Sequence, residues 1–497
     1  MPLRIPSPSP VRARPDFPKK KLIVCCDGTW LNSDNSFVKD TILPWDNNGH
    51  LEHSSNVSKF CRSVDELSAD GTMSQITYYQ SGIGSSSDLI DHIWGGTTGA
   101  GLSEHIREAY SFLADNWSPG DEIYLIGFSR GAFTARSIAA FIEAVGLLTP
   151  MGMLSFYPVF DDWVHQEMTN YKSPFPDLPF SDRPCVKDTT YMQTLSDLGL
   201  SRPNIPIKAI GVFDTVGALG IPSLGIFPQR VSKDYVFVNQ KVPSNVEYAF
   251  QALALDEFRR PFSPSLWHVP EGEPGPKTLK QVWFPGVHTD VGGGYEDTGI
   301  SDITLAWMMS QLEPFIKFHT RYLLWQNEMN EQHYGGRRPW SFGDLHNSMR
   351  GFYYFAGAQV RTPDNYRITS NKSRLPSRKP LQNTNESIHA SVRIRTGLKG
   401  PGLEGKGEYN CRALKGWQPK RERSSGKQGG DGEIGQVHLA QNQIKWTSLS
   451  SKIPKEMPED LLGEIELQLL MKSPDVWEKF TQIGIHEDSK LSLMDSF

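Results

Sequence analysis

The sequence has no long apolar run. No segment approaches the roughly 18 consecutive apolar residues that cross a bilayer, so a membrane-spanning helix is not expected. The opening stretch MPLRIPSPSPVRARPDFPKKK is basic and Pro/Ser-rich and lacks an apolar segment. It reads as a disordered tail over residues 1–20 rather than a secretory signal. Cysteine is scarce: Cys25, Cys26, Cys61, Cys185 and Cys411 are odd in number, and no pair has zinc-ligand spacing. A reducing intracellular compartment, the cytoplasm, is the expectation that follows. Charge of one sign is lacking too. Lys and Arg number 51 against 56 Asp and Glu, a net charge of −5, and nothing in that balance suggests nucleic acid as a partner. A solenoid-type internal repeat is also absent.

What is present is 497 residues with 38% hydrophobic content, enough for a large α/β domain with insertions. Five short apolar runs read as buried strands: 21–26 (KLIVCC), 75–79 (QITYY), 122–128 (EIYLIGF), 207–213 (IKAIGVF) and 279–284 (LKQVWF). Helical spacing appears over 103–117, with Ser103 as an N-cap, over 130–147, over 301–313 and over 459–482. Continuous apolar strands alternating with helices predict an α/β fold: a mostly parallel sheet covered by helices on both faces. Its ligand crevice lies beyond the carboxyl ends of the strands. The expected organisation is a catalytic domain over 21–320, interrupted at 148–205 by an aromatic, proline-rich insertion that is either a lid or a structural excursion. An irregular C-terminal extension over 321–497 follows, with a flexible Gly/Lys/Ser-rich segment at 396–435.

Gly127-Phe128-Ser129-Arg130-Gly131 fits G-x-S-x-G between an apolar strand and a small-residue helix. That is the setting of the α/β-hydrolase nucleophile elbow. A serine on so sharp a turn needs neighbours without bulk, which Gly127, Gly131 and Ala132 supply. The hydroxyl then stands at a helix N-terminus, where the Arg130 amide would meet a developing oxyanion. Ser129 needs a base. Among 13 histidines, His288 follows the fifth strand run in FPGVHTDVGGGY, downstream of the serine. The orienting carboxylate is Asp214, at the end of IKAIGVF, in the order Ser–Asp–His. Asp290 is its rival because it stands two residues from His288, although that spacing suits bonding to the glycine-rich turn better. In Asp27-Gly28-Thr29-Trp30, Thr29 or Trp30 would donate a second oxyanion N–H. Asp27 would hold the loop or simply close an Asp-Gly turn.

Two other readings compete. Asp27, Asp214, His288 and Asp290 are residue types that could ligate a metal, and a decayed site could serve as a non-catalytic scaffold. GGTTGAGL (95–102) lacks the Gly-Lys-Ser/Thr ending of a phosphate loop. No cofactor and no metal are expected.

The four motifs VCCDGTW, GFSRGAFTARSIA, GVFDTVGALG and FPGVHTDVGGGY, in this order, resemble the catalytic domain shared by bacterial type VI secretion phospholipase effectors and many fungal proteins. The resemblance covers roughly residues 20–315. It implies an α/β-hydrolase fold, a triad of Ser129, Asp214 and His288, and a hydrolase acting on carboxylic esters, with phospholipid or lysophospholipid as the substrate class. An ester or lipid substrate, met by peripheral contact with a membrane surface, is the partner it implies. Oligomeric state is left open.

Overall fold

Runs of aliphatic and aromatic residues without polar alternation become strands buried on both faces. The computed structural model describes residues 18–28, 37–39, 49–51, 53–82, 100–168, 170–216, 240–349, 357–369, 376–421, 444–448 and 455–477. Seven strands form its main sheet: β1 (Lys20–Cys26), β2 (Ser74–Gln80), β3 (Glu122–Phe128), β4 (Ile207–Phe213), β5 (Val246–Ala254), β6 (Thr278–Phe284) and β7 (Glu386–Ile388). Their order is β2-β1-β3-β4-β5-β6-β7, and every neighbouring pair is parallel. The α/β expectation holds, with two strands more than the sequence suggested.

The order reverses once, between β1 and β3. The crossover to β2 leaves on one side of β1, and the rest of the sheet grows on the other. At such a switch point the loops diverge and leave a crevice at the carboxyl edge. Asp27 leaves β1 there and Ser129 leaves β3.

Helices cover both faces. The described ones are α1 (Asn56–Ser63), α2 (Ala100–Asn116), α3 (Ser129–Val145), α4 (Phe156–Val164), α5 (Thr189–Asp197), α6 (His288–Gly292), α7 (Gly299–Leu312), α8 (Thr320–His333), α9 (Ala390–Gly397) and α10 (Glu464–Met471). Alternate strand residues feed opposite cores. Leu22, Val24 and Leu125 pack under α2–α4 with Tyr110, Phe141 and Trp163. Ile23, Cys25 and Ile126 pack under α1, α7, α8 and α10 with Phe60, Trp307 and Leu467. Helix α2 starts at Ala100, so Ser103 lies inside the first turn rather than capping it. None of the described helices is long and apolar enough to cross a membrane.

The 148–205 insertion starts at the far end of α3, about 25 Å along a 17-residue helix from Ser129. Phe156, Phe160 and Trp163 of α4 seat against Phe141 of α3. Buried Asp162 ties the loop together through Arg183 (2.6 Å) and the Tyr191 hydroxyl (2.8 Å). These contacts make the insertion a packed layer on α2 and α3.

The C-terminal region is irregular but integral. It supplies edge strand β7, and the Trp307 indole donates to Asp460 at 2.8 Å. Arg393 pairs with Glu459 at 2.7 Å in a buried ion pair. Within the segment expected to be flexible, residues 396–421 are described and anchored at Tyr409, which is buried and donates to Asp256 at 2.7 Å. Residues 422–435 of that segment, the tail before residue 18, and Thr29 and Trp30 lie outside the described residues.

Candidate active site

Strand β3 ends at Phe128 and helix α3 begins at Ser129, with no residue between them. The reversal is concentrated on Ser129, whose φ of 57° lies in the left-handed region that costs a side-chain-bearing residue about 1–2 kcal/mol. The flanking glycines make room for it. A Cβ on Gly127 would stand 2.6 Å from Ala132 Cα, and one on Gly131 would stand 2.1 Å from the Cys26 carbonyl oxygen and 2.5 Å from that of Asp27. Those neighbours are backbone and cannot swing aside. Gly131→Ala is therefore expected to force α3 off β1 at a cost of about 3 kcal/mol or more. A drop in the denaturant midpoint at unchanged slope checks it. Gly199→Ala, where a Cβ meets nothing within 4 Å and only φ (+70°) is unfavourable, is the control, at about 1 kcal/mol.

Phe128 on β3 pairs with Phe213 on β4, so Ser129 and Asp214 leave adjacent strands at the same level. Asp214 is also left-handed (φ 37°) and has no exposure to water. Its Oδ2 lies 2.6 Å from His288 Nδ1, and its Oδ1 accepts from the Ala254 amide at 3.0 Å. Arg361, equally buried, donates to Oδ1 at 2.5 Å and Oδ2 at 2.9 Å. Burial would push the Asp214 carboxyl up. The Arg361 guanidinium and the His288 imidazole outweigh it and hold the group well below the ordinary carboxylate range.

His288 opens the short helix α6, beyond β6. Its ring lies 4.7 Å from the Phe128 ring and 5.0 Å from that of Phe262. Gly292 admits the Phe128 ring, whose nearest atom would meet a Cβ at 2.0 Å. Glycine in this turn thus brings the residue before Ser129 against His288. Burial pushes the His288 pKa below its ordinary value, and the Asp214 carboxylate only partly offsets this. The imidazole is therefore neutral at neutral pH and able to accept a proton.

The other nominated residues separate. Asp290 faces away from His288: its oxygens accept from the Val287 amide (2.8 Å) and hold His346 Nδ1 (2.6 Å). Asp27 is a brace, accepting from Ser55 Oγ (2.5 Å), the Tyr79 hydroxyl (2.7 Å) and its neighbour Gly28 N–H (2.7 Å). It links the ends of β1 and β2 to the cap of α1. The Arg130 amide lies in the first turn of α3, directly after Ser129. Asp27, Asp214 and Asp290 have their oxygens committed to three different sets of partners. Among the described residues no group of three or more His, Cys, Asp or Glu could hold a metal ion.

Residues that the motifs did not indicate complete the surroundings. Buried Glu257 accepts from the His288 amide (3.3 Å), pairs with Arg259 (2.9 Å) and accepts from Ser348 (2.7 Å). The Arg259 guanidinium lies 3.5 Å over the Phe262 ring. Asp256 accepts from the Gly286 amide at 2.8 Å, and burial lifts it to about 6.

The family model for the catalytic domain of the type VI secretion phospholipase effector Tle1-like proteins matches residues 20–311. An uncharacterized protein of Saccharomyces cerevisiae is 27% identical over 256 residues, covering 46% of this chain and 33% of its own length, so the chain spans about a third of that curated relative. Among solved structures, the Tle1 effector bound to the VgrG spike from the type VI secretion system has 20% identity and a TM-score of 0.26, covering 56% of this chain and 52% of its own. An uncharacterized protein from Pseudomonas aeruginosa has 17% identity and a TM-score of 0.29, covering 59% and 46%. With well over half of its residues matched by the family model, the chain belongs to the Tle1-like phospholipase-effector catalytic-domain family.

Proposed function

We propose that this protein hydrolyses carboxylic esters, with phospholipid or lysophospholipid as the substrate class, through an acyl-enzyme on Ser129. The observation that carries the reading is the 2.6 Å contact of neutral His288 with ionised Asp214, beside a serine strained onto the adjacent strand end. His288 Nε2 takes the Ser129 hydroxyl proton as Oγ bonds the carbonyl carbon. Asp214 stabilises the resulting imidazolium. The tetrahedral oxyanion is met by the Arg130 amide at the start of α3. As the ester C–O bond breaks, His288 passes its proton to the leaving alkoxide. A water then gives its proton to His288 and its oxygen to the acyl carbon, and Ser129 recovers the proton on release of the carboxylic acid. Lipid enters as substrate because the family is one of phospholipase effectors.

A fluorophosphonate probe tests the mechanism. A stable adduct on Ser129, mapped by peptide mass spectrometry, is the expected result. Folded protein that gives none overturns the reading. The pH profile tests the base. His288 works only when neutral, and burial lowers its pKa, so activity persists to lower pH than an ordinary histidine allows. The acid limb of kcat/KM is expected below the ordinary value of about 6.5 and is lost as pH falls through it. A limb centred well above that value would mean a base other than a desolvated histidine.

A further inference from the structure

Asp214 poses an electrostatic problem that Ser129 and His288 do not solve. It has no contact with water. Its histidine partner is neutral in the resting site, so it cannot balance the carboxylate until a proton arrives during the reaction. A buried carboxylate without a compensating charge binds a proton instead.

The compensating charge is Arg361, 147 residues away in sequence and beyond the 20–311 span of the family match. Its two terminal nitrogens make the fork on Asp214, and each also donates to a carbonyl: that of Ala254 at 2.7 Å and that of Phe262 at 2.8 Å. Backbone bonds fix the segment that carries it. The Gln359 amide donates to Phe258 at 2.8 Å, and the Arg260 amide donates to Gly357 at 3.2 Å. The fork sets the plane of the carboxylate while leaving Oδ2 facing His288 Nδ1.

We propose that Arg361 is a positioning residue of the hydrolytic site, so that the segment C-terminal to the family-matched domain completes the catalytic machinery. The proposal rests on the triad reading above. Other charges face His288: Asp214 from the end of β4, and Glu257 and Arg259 from the segment after β5. Arg361 acts from behind Asp214, with Tyr366 and Glu257 near it. Without Arg361, the Asp214–His288 pair would hold one more proton up to a higher pH, whichever member carries it. The free base would then appear only on the alkaline side.

The test is the rate of fluorophosphonate labelling of Ser129 across pH, in the full chain, for wild type, Arg361→Met and Arg361→Lys. Arg361→Met is expected to label on the order of a hundredfold more slowly at neutral pH and to recover part of that loss as pH rises. Arg361→Lys keeps the charge but not the fork, so its acid limb stays near that of wild type while labelling slows about tenfold. A purely structural role would slow Arg361→Met equally at all pH values and leave its limb in place, and that result overturns the proposal. If Arg361→Met does not fold, the neutral but hydrogen-bonding Arg361→Gln decides in its place: an acid limb moved to higher pH supports, and slowed labelling with an unmoved limb refutes. Wild type that fails to label refutes the triad reading instead, so the two failures are distinguishable.

Discussion

Ser129→Ala is expected to lower kcat/KM for an ester substrate by about 10⁴-fold or more while the protein remains folded. Only the hydroxyl group is removed, and Ser129 is an almost fully buried first residue of a helix whose packing comes from Phe133, Ile138 and Phe141. Ser129→Gly should be equally inactive and more stable than wild type by about 1 kcal/mol, because glycine meets no Cβ penalty at φ 57°. The paired result is the informative one. Lost turnover together with gained stability would show that the strained position is occupied for the hydroxyl, since strain of this kind concentrates at sites of action. Ester turnover and a denaturant melt on the same preparations read both effects. Ser129→Ala turning over within tenfold of wild type would assign the nucleophile elsewhere.

The strands and the serine turn were legible because their signals are local. Apolar runs mark buried strands wherever they lie, and the glycines around Ser129 report a steric demand within five residues. Strand β5 was not legible. VEYAFQALA is rich in residues that favour helix over strand, and its Gln251 is polar yet fully buried, with its amide donating to the Ser265 carbonyl at 3.1 Å and its oxygen accepting from Arg136 at 3.3 Å. Placement between β4 and β6 overrides the propensity of these residues. Strand β7 is three residues long, too short for any periodicity to emerge. Arg361 follows the apolar run FYYFAGAQV and His346 stands in a mixed stretch, and neither belongs to a motif that marks its side chain as buried. Only the fold brings them to Asp214 and Asp290. Their common feature is burial of a carboxylate, a demand for charge that the motif around the carboxylate does not reveal.

The two carboxylates that competed for His288 are separated by the same logic, and their asparagine variants should differ by orders of magnitude. Asp214→Asn removes the charge that stabilises the His288 imidazolium and should lower kcat by about 10⁴-fold. It also leaves the buried Arg361 guanidinium without its counter-charge, so a loss of roughly 3 kcal/mol or more in stability should accompany the kinetic effect. Asp290→Asn touches neither His288 Nδ1 nor Arg361. Its consequence falls on His346, whose pKa is set by burial pushing down and by Asp290 pulling up more strongly, for a net rise. With the carboxylate gone, its upward pull is lost and the His346 pKa should fall from its raised value, visible as a shifted histidine titration by NMR, while kcat/KM stays within about tenfold of wild type. The reverse ranking, with Asp290→Asn inactive and Asp214→Asn active, would transfer the orienting role to Asp290 and require His288 to turn its ring through the space that Phe128 and Phe262 now occupy. Those two rings pack against the imidazole and restrict its orientation, and Asp214 is the carboxylate the fixed ring faces.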